Sequence, residues 1–247
     1  MIVRELTTLA EFEALSRVFD TIWRPRPSNP PVTVELMRAF SHAGNYVAGA
    51  FVDGRLAGGS VGFCSPPREA TLHSHVTGVV APGAGLALKR HQRSWALARG
   101  ISTITWTFDP LVRRNAYFNL VKLGARPERY HENFYGEMAD EVNAGDESDR
   151  ALAVWRLTDP RPVDDAPEAV VAVDDGPVVR EVSAPVVLIR LPEDIERLRR
   201  EDPDLAKRWR MAVREELGGR LREGWRVTGF RDGGYVVRSP SDPPSDR

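Results

Sequence analysis

The sequence predicts an α/β (α+β) fold in which helices flank a mixed, mostly antiparallel central sheet. Three observations carry that expectation. "NYVAGAFVDGRLAGGSVGF" holds two alternating runs joined by Asp53-Gly54, a pair favoured in tight hairpin turns. "LHSHVTGVVAPGAGLALKRHQRSWALARG" passes from strand alternation through a glycine corner into helical spacing. Along residues 1–157 the patterns run strand, two helices, three meandering strands, helix, strand, helix and two strands.

Taken in order, "MIVREL" is the first strand, and Thr8 with Glu11 three residues on makes a capping box for the helix that follows. Phe12, Leu15, Val18, Phe19, Ile22 and Trp23 form its apolar face. "RPRPSNPP" is a loop by its proline content, and Thr33 caps a second short helix through Phe40. After the hairpin come the strand "TLHSHVTGVV", the helix "GLALKRHQRSWALARG" stopped at Gly100, and the strand "ISTITWTF". "VRRNAYFNLVKLG" is a helix ending at glycine, and "ARPERYHENFYG" and "LAVWRL" are two more strands. Pro, Asp and Ala then mark a linker over 158–180. A small α/β extension of strand, amphipathic helix and closing strands fills 181–238, and the tail 239–247 has a disordered composition.

Bulk properties exclude several classes. The 247 residues carry 34 Lys+Arg against 35 Asp+Glu, a net charge of −1, which disfavours nucleic acid or an anionic membrane as partner. From Glu193 to Arg226 ten basic residues are balanced by nine acidic ones, which favours a solvated helix face over a nucleic-acid surface. One cysteine, Cys64, excludes an internal disulfide and fits a reducing cytoplasm. The amino terminus has acids where a signal peptide needs an apolar run, and no stretch approaches the roughly 18 apolar residues of a membrane span. A soluble cytoplasmic protein is expected.

Residues 72–157 carry the more specific wording "LHSHVTGV", "ALKRHQRSWALARGI", "ITWTFDPLVRRNAYFNLVKLGA", "NFYGEM" and "NAGDESDR". With the element order, these resemble a bacterial subgroup of the GNAT N-acetyltransferase superfamily, and "DPDLAKRWRMAVREELG…GWRVTGF" is similar to its carboxy-terminal extension. The resemblance makes 1–157 an acyltransferase domain. It implies acetyl-CoA or another acyl-CoA, such as succinyl-CoA, as cosubstrate, and a small-molecule amine, an amino acid among the options, as acceptor. It leaves the extension as a lid or as a homodimer contact.

In that family the fourth strand lies along the pantetheine arm, and the glycine loop with the next helix start holds the pyrophosphate. The chemistry is sound, because exposed amides and a helix dipole favour anions. The family loop, Arg/Gln-x-x-Gly-x-Gly/Ala, corresponds here to Val80, Ala81, Pro82, Gly83, Ala84 and Gly85. Both glycines are kept. Val80 replaces the basic or amide residue, and the stretch to Lys89 is shorter than in the subgroup. Val79, Val80, Gly83, Ala84, Gly85, Leu86 and Asn115 are the implied cofactor contacts, with Lys89, Arg90 and Arg93 on the phosphates.

Acyl transfer from a thioester to an amine needs a base for the amine and a proton for the thiolate. Alternation puts His73, His75 and Thr77 on one face of the fourth strand, opposite Leu72, Ser74 and Val76. His75, then His73, are the candidate bases; structural hydrogen bonding and metal binding are the other readings, with no third ligand at a plausible spacing. The family's usual tyrosine falls at Leu120, so Tyr117 and Tyr135 stand as substitute acids or as structural residues. Thr107 and Asp109 end the fifth strand as candidate substrate contacts, with capping of the following helix the favoured alternative for Asp109. Arg113 and Arg114 are either carboxylate attractors or solvated arginines, and Asp149-Arg150 reads as a local ion pair. The competing functions are an acyl-CoA-dependent N-acyltransferase, a GNAT-fold binding protein with weak or no catalysis, and metal-dependent chemistry at the two histidines.

Overall fold

The structure is a computed structural model and describes residues 1–25, 30–136, 146–159, 164, 166–174 and 176–241. The middle of the proline-rich loop, parts of "NFYGEM" and "NAGDESDR", the middle of the 158–180 stretch and the end of the tail lie outside the described residues. The chain forms two compact units. Within the described residues one comprises 1–106 and 156–158, the other 107–136, 146–155 and the described residues from 159 to 241.

The first unit contains β1 (Ile2–Glu5), α1 (Leu9–Trp23), α2 (Val34–His42), β2 (Tyr46–Val52), β3 (Arg55–Cys64), β4 (Thr71–Val79), α3 (Ala84–Leu97) and most of β5 (Thr103–Phe108). Its strands pair in chain order, antiparallel from β1 through β4 and parallel between β4 and β5. The expected mixed, mostly antiparallel sheet with flanking helices is therefore present. Thr8 and Glu11 make both arms of the capping box of α1, and Thr33 caps α2. Phe12, Leu15 and Phe19 of α1 pack with Leu6, Met37, Val47 and Val61 in one buried cluster. The helix lies close on the sheet because β3 and β4 present glycines beneath it. A Cβ on Gly59 would meet Leu15, and one on Gly78 would meet Trp23 and Ile22.

The register of β3 against β4 shifts between Val61 and Gly62, so that Val61 faces Val76 while Gly62 faces Ser74. His75 is the extra residue of a β-bulge. Strict alternation fails there, and the expectation that His73, His75 and Thr77 share a face is corrected. Val76 packs against the α1 cluster, whereas the Thr77 hydroxyl bonds Ser60 at 2.7 Å, and Ser60 is contacted by Gln92 of α3 on the other side.

The second unit contains α4 (Arg113–Tyr117), which continues as a π-helical turn over Phe118–Leu123, then β6 (Arg126–His131) and most of β7 (Arg150–Arg156), paired antiparallel. β8 (Val170–Asp174), β9 (Val178–Val179), β10 (Val186–Arg190), α5 (Ile195–Glu201), α6 (Pro203–Val213), α7 (Gly219–Arg222), β11 (Arg226–Arg231) and β12 (Gly234–Arg238) follow. β11, β12, β10, β8 and β9 make a five-stranded sheet in that order. Two strands thus lie inside the stretch read as a linker. The β-branched run at 170–173 pairs in parallel with β10, which outweighs the flanking Pro and Asp. Asp202 ends α5 and caps α6, with Pro203 in its first turn, and the apolar positions from Leu205 to Leu221 lie on one helical run through α6, a π-helical turn and α7.

A buried ionic network lies within this unit. Arg199 bridges Asp109 and Asp146, and Arg210 contacts Asp146 at 2.7 Å and Asp149 at 3.8 Å. Arg214 bonds Asp149 at 2.6 Å, Tyr130 donates to the same carboxylate at 2.6 Å, and the Asn133 amide does so at 3.0 Å. Asp149 is therefore not the side-chain partner read for Arg150, whose Nη1 donates to the Asp149 backbone carbonyl instead. Burial alone would raise the Asp146 and Asp149 pKa values, but the arginine hydrogen bonds and charges, joined at Asp149 by Asn133 and Tyr130, hold both below the ordinary carboxylate value.

Candidate active site

In the first unit the candidate site is built on β4, the corner after it and α3. The β4–β5 ladder covers Thr71–His73 against Thr103–Thr105. β4 then runs on to Val79 with no further pairing to β5, which leaves main-chain groups of Ser74–Val79 along an open edge. The corner follows at once. Val80 is exposed, and its amide donates to the Ala57 carbonyl. Gly83 caps α3 at φ 79°, a left-handed conformation suited to glycine, and no side chain caps the helix. Among the described residues the Gly85 and Leu86 amides have no acceptor. A Cβ on Gly85 would come no nearer than 3.9 Å to Val79, so the space over these amides is open. Ala84 is buried beneath them.

The cations expected at the phosphates divide. Arg90 is exposed nearly two turns into the helix. Arg93 is tied to the Leu157 carbonyl at 2.9 Å. Lys89 is corrected: it is only 5% exposed and turns inward, donating to Ser74 Oγ at 2.9 Å and Gln92 Oε1 at 3.2 Å, with its ammonium 3.9 Å from the Trp106 ring centre. Lys89 lies at helical spacing from Gln92 and Ala96 on the buried face of α3, beside Leu88 and Trp95, and its side chain follows them in. Ser60, Ser74, Thr77 and Gln92 complete a polar seam that the assignment of Lys89 to the phosphates does not anticipate. The one sequence signal for it was a glutamine three residues from the lysine on an apolar stripe.

Burial lowers the Lys89 pKa from 10.5 to about 7. The unfolded lysine holds its proton up to about 10.5 while the folded one sheds it near 7, so stability rises with pH across that interval. Thermal melts of wild type should show that rise, and Lys89→Met should flatten it. Equal slopes for the two proteins would mean that Lys89 keeps its proton in the fold.

His73 and His75 lie on one side of β4, their rings 6.5 Å apart and 5.1 and 6.0 Å from Phe63, which had not been singled out. His73 Nδ1 is 3.3 Å from Thr105 Oγ1, and burial, aided by His75 and Lys89, lowers its pKa to about 4. It is neutral at pH 7 and a poor proton acceptor. His75 is exposed at the bulge with Nε2 3.3 Å from the Pro31 carbonyl, which fixes the proton on Nε2 and leaves Nδ1 as acceptor. Among the described residues no three His, Cys, Asp or Glu side chains are grouped to hold a metal ion.

The remaining candidates belong to the second unit. Thr107 Oγ1 and the Tyr135 hydroxyl are hydrogen-bonded at 2.9 Å, and Ser148 holds the Tyr135 amide at 2.9 Å. Asp109 is corrected from substrate contact to structure: Oδ1 accepts the Leu111 amide at 2.9 Å and Oδ2 meets Arg199, with the residue 8% exposed. Tyr117 is exposed, packs edge-on to Phe230 with centroids 6.4 Å apart, and shares no contact with Tyr135. Asn115 is exposed on α4.

A mostly antiparallel sheet with a parallel β4–β5 pair, opened past a short ladder and followed by a glycine-started helix, defines the GNAT fold. The N-acetyltransferase from Staphylococcus aureus Mu50 matches with a TM-score of 0.52 at 15% identity, over 63% of this chain and 98% of its own. Aminoglycoside 6'-acetyltransferase type Ii matches at 0.51 and 17%, over 66% of this chain and 100% of its own. The ribosomal-protein-alanine N-acetyltransferase from Brucella melitensis matches at 0.52 and 14%, over 63% and 99%. At these identities the likeness is one of fold. No family model matches the chain, and no curated protein matches it. No described helix is long and apolar enough to cross a membrane.

Proposed function

We propose that this chain is an acyl-CoA-dependent N-acyltransferase acting on a small amine. The observation that carries the proposal is the open edge of β4 leading into the uncapped start of α3. An extended arm bearing amides satisfies the main-chain groups of Ser74–Val79, and a pyrophosphate takes the free amides of Gly85 and Leu86. Gly83 and Gly85 leave room for that approach, and Arg90 is an exposed cation further along the same helix. His75 Nδ1 accepts the proton of the attacking amine, its nitrogen bonds to the thioester carbonyl carbon, and the carbon–sulfur bond breaks. The departing thiolate takes a proton from water.

A second reading has one observation in its favour. Val80 at the corner lacks the polar side chain the family places there, and Lys89 in the core takes a cation from the expected phosphate site, which supports a GNAT-fold binding protein with a weak hold on the nucleotide. Incubation with acetyl-CoA or succinyl-CoA and a panel of amines separates the two. The enzyme reading expects free thiol to appear at a rate that depends on the amine; no thiol with any amine would favour the binding reading.

A further inference from the structure

A second site lies in the carboxy-terminal unit and stands apart from the acyl-transfer reading. A cavity of about 550 Å³ is lined by Arg113 and Tyr117 of α4, Glu193, and Phe230, Arg231 and Asp232 of the β11–β12 hairpin. Its charges are unevenly satisfied. Arg114, next in the chain, is held by both carboxylate oxygens of Glu196, and Arg231 lies 3.7 Å from Asp232. Arg113 and Glu193 make no hydrogen bond or ion pair among the described residues, although both line this cavity. One free cation and one free anion therefore face the same space without neutralising each other.

The cavity wall is also built. Arg113 is half-buried against the hairpin turn, where Asp232 and Gly233 both have positive φ, 45° and 72°. A Cβ at Gly233 would overlap the Arg113 guanidinium, so the glycine both makes the turn and seats the arginine. The Arg231 Nε is buried without a hydrogen-bond acceptor. Tyr117, 44% exposed, and the edge of Phe230 supply an apolar wall.

We infer that this cavity binds a small zwitterion with an aromatic or apolar flank. Its carboxylate pairs with Arg113, its ammonium with Glu193, and its flank lies on Tyr117 and Phe230. A guanidinium pairs with a carboxylate through two parallel hydrogen bonds, and a ligand of either charge alone leaves one of the two residues unsatisfied.

The full chain, titrated with L-phenylalanine and followed by NMR of the Arg113 side-chain NH and the Tyr117 ring, should give saturable shifts at both. Phenylpropionate, which lacks the ammonium, and phenethylamine, which lacks the carboxylate, should each bind about tenfold more weakly or worse. Glu193→Gln, a change at an exposed side chain, should weaken phenylalanine by a similar factor and leave phenylpropionate unaffected. Arg113→Gln should do the converse with phenethylamine as the unaffected probe. Equal binding of all three probes, shifts confined to other residues, or no saturable shift up to the solubility limit would overturn the assignment.

Discussion

Arg210→Ala is expected to destabilise the chain by about 3–5 kcal/mol, read as the change in unfolding free energy in urea. Arg210 is 2% exposed and is the largest fully buried side chain among the described residues. It sits between Asp146 at 2.7 Å and Asp149 and Asp109 at 3.8 Å, so its removal leaves carboxylates buried with less compensating charge. Arg199 and Arg214 each keep part of that charge covered, which places the loss within the range for broken buried pairs rather than beyond it. The network itself is not an efficient source of stability, since Arg210 Nε and Nη1 have no hydrogen-bond partner among the described residues. A double replacement of Arg210 and Asp146 by apolar residues should therefore cost less than the single change. A loss under about 1 kcal/mol for Arg210→Ala would mean that water reaches these groups.

The second large effect concerns His75. Its replacement by alanine should lower turnover on the order of 10²–10⁴-fold, the usual contribution of a positioned base, and leave acyl-CoA affinity unchanged. His75→Gln retains a donor for the Pro31 carbonyl but has no basic nitrogen, so it should be as inactive as alanine if the proton transfer is the role. His73→Gln should be much milder, because a ring held near pKa 4 accepts few protons at neutral pH. Full activity in His75→Gln would transfer the histidine to a positioning role and leave the base elsewhere.

Local patterns made most of the fold legible. The capping box at Thr8, the apolar stripe of α1, the Asp53-Gly54 turn and the glycine corner each follow from short-range rules, and each appears where those rules place it. The β4 bulge escaped because alternation assumes an unbroken ladder, and one extra residue at His75 moves Thr77 to the opposite face. Lys89 escaped because the family resemblance assigns it to the phosphates, while its long stem and the Ser74 and Gln92 acceptors let it enter the core. The Asp146–Asp149 network and the Arg113 cavity depend on residues far apart in sequence, and no periodicity brings Arg113 beside Glu193. Asp109 shows the same limit: it makes a local turn bond to the Leu111 amide rather than capping α4, whose N-cap is Val112, and its distant partner Arg199 leaves no local signal.

The most direct test of the central claim is calorimetric titration of the purified chain with acetyl-CoA and succinyl-CoA, with free CoA as control and Gly83→Val alongside. The account predicts saturable binding by the wild type, a loss of it in Gly83→Val, where φ 79° excludes a branched side chain, and shared affinity with free CoA. Failure of all three ligands to bind a folded wild-type chain would contradict it, since the open edge of β4 and the free amides of α3 would then hold no nucleotide.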